Sequence, residues 1–239
     1  GLGNQFLGHI REVNAIVHIV RCFDDPDIVH VGCEIDPKRD MEIIETELIL
    51  KDLDSTEKKQ SRVEKKSHSG DKEARNEKAV LDRIQKQLAL GKPARAVALS
   101  EVEEALIKDL SLLTRKPVLY VANVSEKDME KGNRYTKQVE QIAAEEGQSA
   151  ILMSGKIEAE IAVLSPEDGE IFLKDLGLSE SGLPRFIRGS YQLLGLMTFF
   201  TVGEDEVRGW TLFKGTRAVD AAGLIHSDIQ RGFIRAEVT

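Results

Sequence analysis

A polar segment follows the second apolar run of the chain and carries side chains suited to recognising a small planar ligand. Val118 to Ala122 has the pattern of a buried strand, and Asn123 and Glu126 come directly after it. Ligands of parallel α/β sheets bind beyond the carboxyl ends of the strands, so Asn123 lies where a ligand is expected. Its amide can pair with the N6/N7 edge of adenine, although a strand-ending Asn is also a common turn or helix-cap residue. The segment therefore predicts a base-recognition site, with a cap as the alternative.

Two positions of this segment differ from the guanine-recognition motif of P-loop GTPases, which is Asn-Lys-x-Asp. Val124 and Glu126 stand here in place of the Lys and the Asp. The Asp carboxylate of that motif accepts hydrogen bonds from two guanine donors at once. Because Glu126 has one more methylene, its carboxylate is moved away from that position. The sequence therefore favours adenine over guanine.

The segment Ser154-Gly155-Lys156 ends the next predicted strand and forms a second candidate for contact with the same ligand. Its backbone would face the ligand in the way that a loop closes over the base in P-loop GTPases. The structural alternative makes Ser154 the N-cap of a helix that has Glu158 and Glu160 in its first turn. The two interpretations are compatible.

The 239 residues contain no phosphate-binding loop of the form G-x-x-x-x-G-K-[ST]. Around Lys156, Ala150 and Ile157 occupy the positions where such a loop needs Gly and a hydroxyl. That loop supplies the cradle for the β and γ phosphates and the hydroxyl ligand of Mg²⁺. We therefore expect this chain to contain no catalytic residue and no metal ligand, and to hydrolyse no nucleotide by itself.

The elements that must position these segments are those of a parallel α/β sheet. Short apolar runs at 15–20, 117–122 and 149–153 predict strands covered on both faces by helices. Between the second and the third, Arg134 to Glu146 has helical spacing and stops at Gly147. A strand, a helix and a strand in this order form the parallel α/β unit, and a helix beginning near Leu2 precedes the first strand.

A long helical insertion interrupts this domain. Met41 to Lys66 and Asp71 to Leu90 predict two helices that are separated by Ser67 to Gly70 and form a projecting antiparallel hairpin. In the second helix, a coiled-coil seam is predicted at Ala74, Glu77, Leu81, Ile84 and Leu88.

The outer part of the hairpin, residues 55–78, is basic. Eight basic against five acidic side chains give a local charge of +3 in a chain whose net charge is -8. That polarity suits a phosphate-rich partner, although a solvated helix surface of mixed charge is an equal alternative. The candidate contacts to RNA or the ribosome are Lys58, Lys59, Arg62, Lys65 and Lys66.

The pattern changes after Leu164, where Pro and Gly punctuate short helical stretches. Beyond them, two strands are predicted at 198–202 and 207–213, joined by the polar turn 203–206. A short helix is predicted over Ala218 to His226 and a third strand over Phe233 to Val238. This organisation is typical of a small α+β domain.

The net charge, the cysteines and the length of the apolar runs exclude several classes of protein. The net charge of -8 argues against a protein that coats nucleic acid with its whole surface. Cys22 and Cys33 belong to no metal-binding or disulfide pattern, and the apolar runs are far shorter than the roughly 20 residues of a membrane span. We expect a reduced, cytoplasmic protein with neither zinc nor membrane contact.

Several motifs together resemble the YchF family of Obg-like ATPases, and the resemblance runs the full length of the chain. They are Gly1 to Leu7, Ile10-Arg11-Glu12, Val20-Arg21-Cys22-Phe23, Tyr120 to Glu126, Phe199 to Arg208 and Gly232 to Val238. The resemblance implies a GTPase-like domain interrupted by a coiled-coil arm and followed by a TGS domain of the β-grasp type. It further implies hydrolysis of ATP, often with GTP accepted too, and association with ribosomes. Asn123, Val124 and Glu126 fall on the family's base-recognition motif.

The resemblance also defines the expected parts and their limits. The GTPase-like domain should take residues 1–40 and 93–164, the arm 41–92, a helical connection 165–196 and part of the TGS domain 197–239. The family's P-loop, switch I, Asp-x-x-Gly segment and switch histidine would precede Gly1, and neither His9 nor His18 is that histidine. ATP or GTP with Mg²⁺ is therefore the cofactor expected for a longer parent protein.

Three functions remain open at this stage. The parent can be a nucleotide hydrolase whose state controls a partner, and this chain can be a module that binds ribosomal RNA or protein. It can also be a structural part without an activity of its own. The first two are compatible with each other.

Overall fold

The computed structural model describes residues 2–28, 34–68, 71–203 and 206–237. The chain divides into two compact units, Gly1–Leu183 and Pro184–Thr239. The division falls within the predicted connection 165–196.

The first unit contains the predicted parallel sheet. Its strands are β1 (Ile16–Arg21), β2 (Val118–Asn123) and β3 (Ser149–Met153), in the order β1-β2-β3 with both pairs parallel. β2 is buried through Ala122, as expected for a central strand. β1 is covered on one face and leaves Val17 and Ile19 39% and 67% exposed on the other. The prediction that every strand is covered on both faces is therefore wrong for β1, which lies at the edge of the described sheet.

Helices precede, connect and follow these strands, and apolar spacing predicted the one before β1 and the one between β2 and β3. The helices are α1 (Leu2–Glu12) before β1, α5 (Arg134–Glu145) between β2 and β3, and α6 (Gly155–Ile161) and α7 (Pro166–Asp175) after β3. Asn133 is the N-cap of α5, and its side chain accepts hydrogen bonds from the backbone N–H groups of Tyr135 and Thr136, at 2.9 and 3.1 Å. The helix ends before Gly147, whose positive φ of 65° suits glycine.

The inserted segment forms two long helices, α2 (Pro37–His68) and α3 (Lys72–Ala89). Both were predicted, and Asp71 caps α3 rather than belonging to it. Residues 69 and 70 of the connecting turn lie outside the described residues. The apolar residues of the predicted seam are buried, as is Val80, whereas Glu77 is partly exposed and forms an ion pair with Lys59 of α2 at 2.6 Å.

The segment that returns the chain from the hairpin to β2 packs against the hairpin. It contains a helix, α4 (Glu101–Ile107), and 3-10 turns at Ala94–Ala96, Lys108–Leu110 and Leu113–Arg115. Ala94, Ile107 and Leu112 share one apolar cluster with residues of α2 and α3. This packing was not predicted, although Ser100 and Glu103 form the capping box that starts α4. The hairpin is thus braced along its inner part rather than projecting freely.

A bridge of charged side chains also fixes the hairpin to the α/β core. Arg95 of the return segment forms ion pairs with Glu45 of α2 and with Glu146 at the end of α5. Glu146 in turn accepts a hydrogen bond from the hydroxyl of Tyr120 at 2.8 Å. Burial and the neighbouring Glu146 raise the pKa of Tyr120, so this hydroxyl stays a donor.

Asp52, in the middle of α2, is completely buried and organises the point where the return segment enters β2. Its carboxylate accepts hydrogen bonds from the backbone N–H groups of Leu113 and Thr114 and from the hydroxyl of Thr114, at 2.8, 2.7 and 2.7 Å. Thr114 Oγ1 accepts in turn from the N–H of Ala94 at 2.9 Å. Burial raises the pKa of Asp52, and these hydrogen bonds oppose the rise.

Replacing Asp52 should therefore destabilise the first unit strongly. In Asp52→Ala, three buried donors lose their acceptor, and each unpaired buried group costs about 1–3 kcal/mol. We expect the free energy of unfolding in urea to fall by about 3 kcal/mol or more. Asp54→Ala is the matched control, because Asp54 is exposed and pairs with Lys58 on the same helix. Equal small changes in both variants would contradict this role for Asp52.

The second unit contains an antiparallel pair of strands, β4 (Leu196–Val202) and β5 (Val207–Phe213), as predicted. It is preceded by α8 (Gly182–Leu193) and followed by α9 (Ala218–Ile225) and α10 (Ser227–Arg231). Residues 204 and 205 of the predicted turn lie outside the described residues, as does Val238 of the predicted third strand. Over 233–237 that strand is absent, since Gly232 ends α10 and Ile234 is 92% exposed without a sheet partner.

Over the described residues, no helix combines the length and the apolar character that crossing a bilayer requires.

Candidate functional site

A cavity of about 510 Å³ lies at the carboxyl end of the parallel sheet. Two of its walls are the predicted segments, 123–127 after β2 and 155–156 after β3. β2 and β3 are neighbours, with Asn123 opposite Met153, so the two segments must meet at this edge. The volume lies within the range of about 300–1,000 Å³ that small-molecule pockets occupy.

Asn123 connects the two predicted segments. Its Oδ1 accepts a hydrogen bond from the backbone N–H of Gly155 at 2.9 Å, which satisfies one of the free donors at the start of α6. This bond also fixes the orientation of the amide. The Nδ2 group makes no hydrogen bond to the described residues, and it is therefore the half of the amide that can donate to a ligand. The cap role and the recognition role of Asn123 thus use different atoms.

Glu126 and Lys156 close the side of the cavity with an ion pair. The Nζ of Lys156 lies 2.7 Å from Oε1 of Glu126, and their side chains are 71% and 35% exposed. The hydrogen bond that Lys156 donates to Glu126 is the main cause that raises the pKa of Lys156. Glu126 therefore has one carboxylate oxygen already paired within the protein.

Val124 and Ser154 occupy the site without exposing their side chains. Val124 is 2% exposed and belongs to the apolar core, and its backbone N–H donates to the carbonyl of Met153 at 2.9 Å. Ser154 is fully buried, and its hydroxyl has no hydrogen-bond partner in the described structure. Ser154 is at the N-cap position of α6, as expected, but its side chain makes no cap bond. Asn123, from the neighbouring strand, instead accepts from the N–H of Gly155, the first residue of α6.

A third wall of the cavity was not predicted. Phe23, Asp24, Asp25 and Ile28, which follow β1, line it together with the two expected segments. β1 is parallel to β2, and Arg21 at its end is opposite Asn123. The position of this segment after a parallel strand was the signal that could have identified it. No cluster of three or more His, Cys, Asp or Glu suited to a metal ion occurs among the described residues.

The predicted basic residues of the hairpin fall into two groups. Lys58, Arg62, Lys65 and Lys66 are exposed on α2, and Lys58 forms an i,i+4 pair with Asp54. Lys59 instead has a side chain that is 14% exposed. Its Nζ pairs with Glu77 at 2.6 Å and Asp109 at 2.5 Å, and donates to the carbonyl of Leu106 at 2.8 Å.

Lys59 is therefore engaged by acceptors within both the hairpin and the return segment. Its ammonium joins α2 to α3 and to the return segment, and these internal acceptors occupy its donors. The side chain lies on the inward side of α2, which charge composition alone does not reveal.

Comparisons with known proteins agree with this architecture. The family model YchF-GTPase_C, described as a protein of unknown function (DUF933), matches residues 196–239. The ribosome-binding ATPase YchF of Bacillus subtilis (strain 168) is 49% identical over 239 residues, which cover 99% of this chain and 65% of that protein. The protein of the same name from Escherichia coli O157:H7 is 49% identical over 237 residues, with 99% and 65% covered.

A solved structure shows the same fold. The Schizosaccharomyces pombe YchF GTPase matches with a TM-score of 0.84 and 37% identity, over 98% of this chain and 64% of that one. The chain thus spans about 65% of the length of the curated relatives. The α/β fold with a parallel sheet and the similarity to these proteins define a YchF-type class of α/β protein. This chain belongs to the YchF family.

The two roles of Asn123 can be separated by substitution. Asn123→Asp keeps an oxygen acceptor for the N–H of Gly155 but removes the Nδ2 donor, whereas Asn123→Ala removes both. We expect the Ala variant to lose about 1 kcal/mol of unfolding free energy and the Asp variant to lose less. If Nδ2 binds a purine, both variants should lose nucleotide affinity in an equilibrium titration. An Asp variant with unchanged affinity would leave Asn123 as a cap residue.

Proposed function

We propose that this chain supplies the base-recognising part of a purine-nucleotide-binding regulatory ATPase of the YchF type, which accepts ATP at least as well as GTP. The observation that carries the proposal is the cavity at the carboxyl end of the sheet, with Asn123 oriented by Gly155. Ligands bind at this edge in parallel α/β folds. The relatives described as ribosome-binding ATPases support nucleotide hydrolysis as the activity of the whole protein.

The pairing of Glu126 supports adenine over guanine. Recognition of guanine by a carboxylate requires both oxygens to face the two neighbouring donors of the base. Here one oxygen of Glu126 accepts from Lys156, and the added methylene also displaces the carboxylate. The Nδ2 group of Asn123 can donate to N7, which both purines carry, so GTP is not excluded.

The cavity residues fit a base better than a phosphate chain. Asp24, Asp25 and Glu126 place three carboxylates around it, against the ammonium groups of Lys127 and Lys156. The G-x-x-x-x-G-K-[ST] sequence that holds β and γ phosphates is absent from the 239 residues. In our proposal, the phosphates and Mg²⁺ are held by residues other than these, and this chain alone has no ATPase activity.

Shortening Glu126 tests the base preference. Glu126→Asp should lose the contact with Lys156 and place the carboxylate nearer to the guanine-binding position, so the ratio of GTP to ATP affinity should rise by several fold. The guanine motif has a Lys at the position of Val124, but Val124 should be kept, because a Lys there would enter the apolar core. Titration of both nucleotides against protein of the relatives' length gives the ratio, with exposed Glu130→Asp as the matched control. A strong guanine preference before any substitution would refute the proposal.

The second part of the proposal concerns the ribosome and rests on the hairpin. We infer that residues 41–92 form a coiled-coil arm and that 197–239 form a TGS-type domain, with the arm as an electrostatic contact to ribosomal RNA. Arg62, Lys65 and Lys66 are exposed near the outer end of α2. We also infer a cytoplasmic location, because the relatives are described as ribosome-binding. The alternative function is a ribosome- or RNA-binding module without catalysis of its own.

Charge reversal of the exposed group tests this surface. Lys58, Arg62 and Lys65 should be changed together to Glu, while Lys59 is kept because of its internal pairs. We expect weaker ribosome binding in sedimentation assays. The dependence of log affinity on log salt should become shallower by about 0.7–0.9 for each phosphate that the arm no longer neutralises. Nucleotide affinity should not change.

A matched variant with the same net charge change makes this test specific. Lys131, Lys137 and Lys174 are exposed and lie outside the hairpin, so their replacement by Glu should leave the ribosome affinity close to that of the unchanged protein. Equal losses in the two triple variants would assign the effect to net charge and contradict the arm as the contact. Circular dichroism of both variants must show unchanged helicity.

A further inference from the structure

The segment 23–28, which we call the β1 loop, is the wall of the cavity that lies outside the family's base-recognition motif. It contributes Phe23, Asp24, Asp25 and Ile28 to the lining. Phe23 and Asp25 are partly buried and Ile28 is 49% exposed, so an apolar ring and an aliphatic side chain are available to a planar ligand. The carboxylates beside them can accept hydrogen bonds from amino groups and repel phosphates.

Arg21 determines the shape of the β1 loop. Its Nε donates to the carbonyl of Phe23 at 3.1 Å, its Nη2 to that of Asp25 at 3.0 Å and its Nη1 to that of Ile28 at 2.9 Å. The guanidinium also lies over the ring of Phe23, with Cζ 4.8 Å from the centroid. A single side chain therefore fixes three backbone carbonyls and one aromatic ring of the cavity wall.

The chemistry of these contacts is specific to arginine. Three donors that diverge from one planar group can reach three carbonyls, whereas the single ammonium of lysine cannot span them. Aspartates occur at three positions of the loop, yet the hydrogen bonds of Arg21 run to main-chain oxygens. The guanidinium thus holds the backbone conformation of the loop.

The other side of the β1 loop is fixed by the start of α5. The Nδ2 of Asn133 donates to the carbonyl of Cys22 at 2.8 Å, and the hydroxyl of Tyr135 donates to the carboxylate of Asp24 at 3.1 Å. The N–H of Cys22 donates to the carbonyl of Asn123 at 2.8 Å. The loop therefore has a defined position relative to Asn123 before any ligand arrives.

We propose that Arg21 is a positioning residue of the base site, because it holds the β1 loop, one wall of the cavity, in the conformation that receives a purine base. This inference rests on the proposed function, because it names the purine as the ligand of the cavity. Preorganisation of the loop reduces the ordering that binding must impose, so the loss of Arg21 should appear mainly in affinity for the base.

The test compares ligands with and without a base. In protein of the relatives' length, Arg21→Ala and Arg21→Lys should each weaken ATP binding by about tenfold or more, which is about 1.4 kcal/mol. Binding of inorganic tripolyphosphate should change by less than about twofold, because it has no base to contact the loop. Arg83→Ala is the matched control, since Arg83 also donates to a backbone carbonyl, that of Ala98, outside the cavity. It should leave both affinities unchanged.

A second variant keeps the test decisive if the Arg21 variants unfold. Ile28→Ala removes half-exposed apolar surface from the loop and keeps Arg21, so it should fold and weaken ATP but not tripolyphosphate. Amide exchange should also rise over 23–28 in Arg21→Lys while that of β2 stays slow.

The possible failures can be told apart. Unchanged ATP affinity in folded Arg21→Lys and Ile28→Ala would overturn the role of the loop and leave the proposed function intact. Equal losses for ATP and tripolyphosphate would show that Arg21 acts on the whole domain, which also overturns the inference. If the unsubstituted protein binds tripolyphosphate but shows no preference for ATP over it, the base site itself, and the proposed function with it, is refuted.

Discussion

The buried carboxylate of Asp52 is the interaction on which the arrangement of the first unit most depends. The inserted hairpin separates β1 from β2 by nearly a hundred residues, yet the two strands must pair in a fixed register. Asp52 binds the backbone at Leu113 and Thr114, directly before β2, and thereby fixes where the returning chain enters the sheet. Burying a carboxylate is unfavourable unless its hydrogen bonds are satisfied, and the carboxylate of Asp52 accepts hydrogen bonds from three donors.

The base site depends on that register in turn. Arg21 and Asn123 are opposite each other at the carboxyl ends of β1 and β2, and each organises a different loop. Asn123 holds the start of α6 through Gly155, while Arg21 holds the β1 loop through three carbonyls. A shift of one residue between the strands would point one of these side chains to the opposite face of the sheet. The insertion is therefore structurally linked to the geometry of a site that it does not line.

The sequence was informative where local patterns decide the structure and incomplete where long-range contacts decide it. Apolar runs and helix stops predicted the strands, the hairpin helices and α5, because periodicity and end signals act locally. The packing of 94–113 on the hairpin, the inward position of Lys59 and the third wall of the cavity all involve partners far away in the chain. Charge composition groups Lys59 with the surface lysines, whereas its helical spacing from Thr56 and Val63, which are both buried, places it on the inward side of α2.

The bracing of the hairpin has a consequence for its mechanics. The polar contacts of the return segment with α2 involve Glu45, Asp52 and Lys59, which lie in the inner part of the helix. Farther out, Val63 and Ala74 belong to the apolar cluster that α2 and α3 share with the return segment. Stiffness should therefore decrease from the base of the hairpin to its tip, and amide protons should exchange in that order. Such a hairpin can adapt its outer end to an uneven binding surface, while its inner part keeps a fixed orientation relative to the sheet.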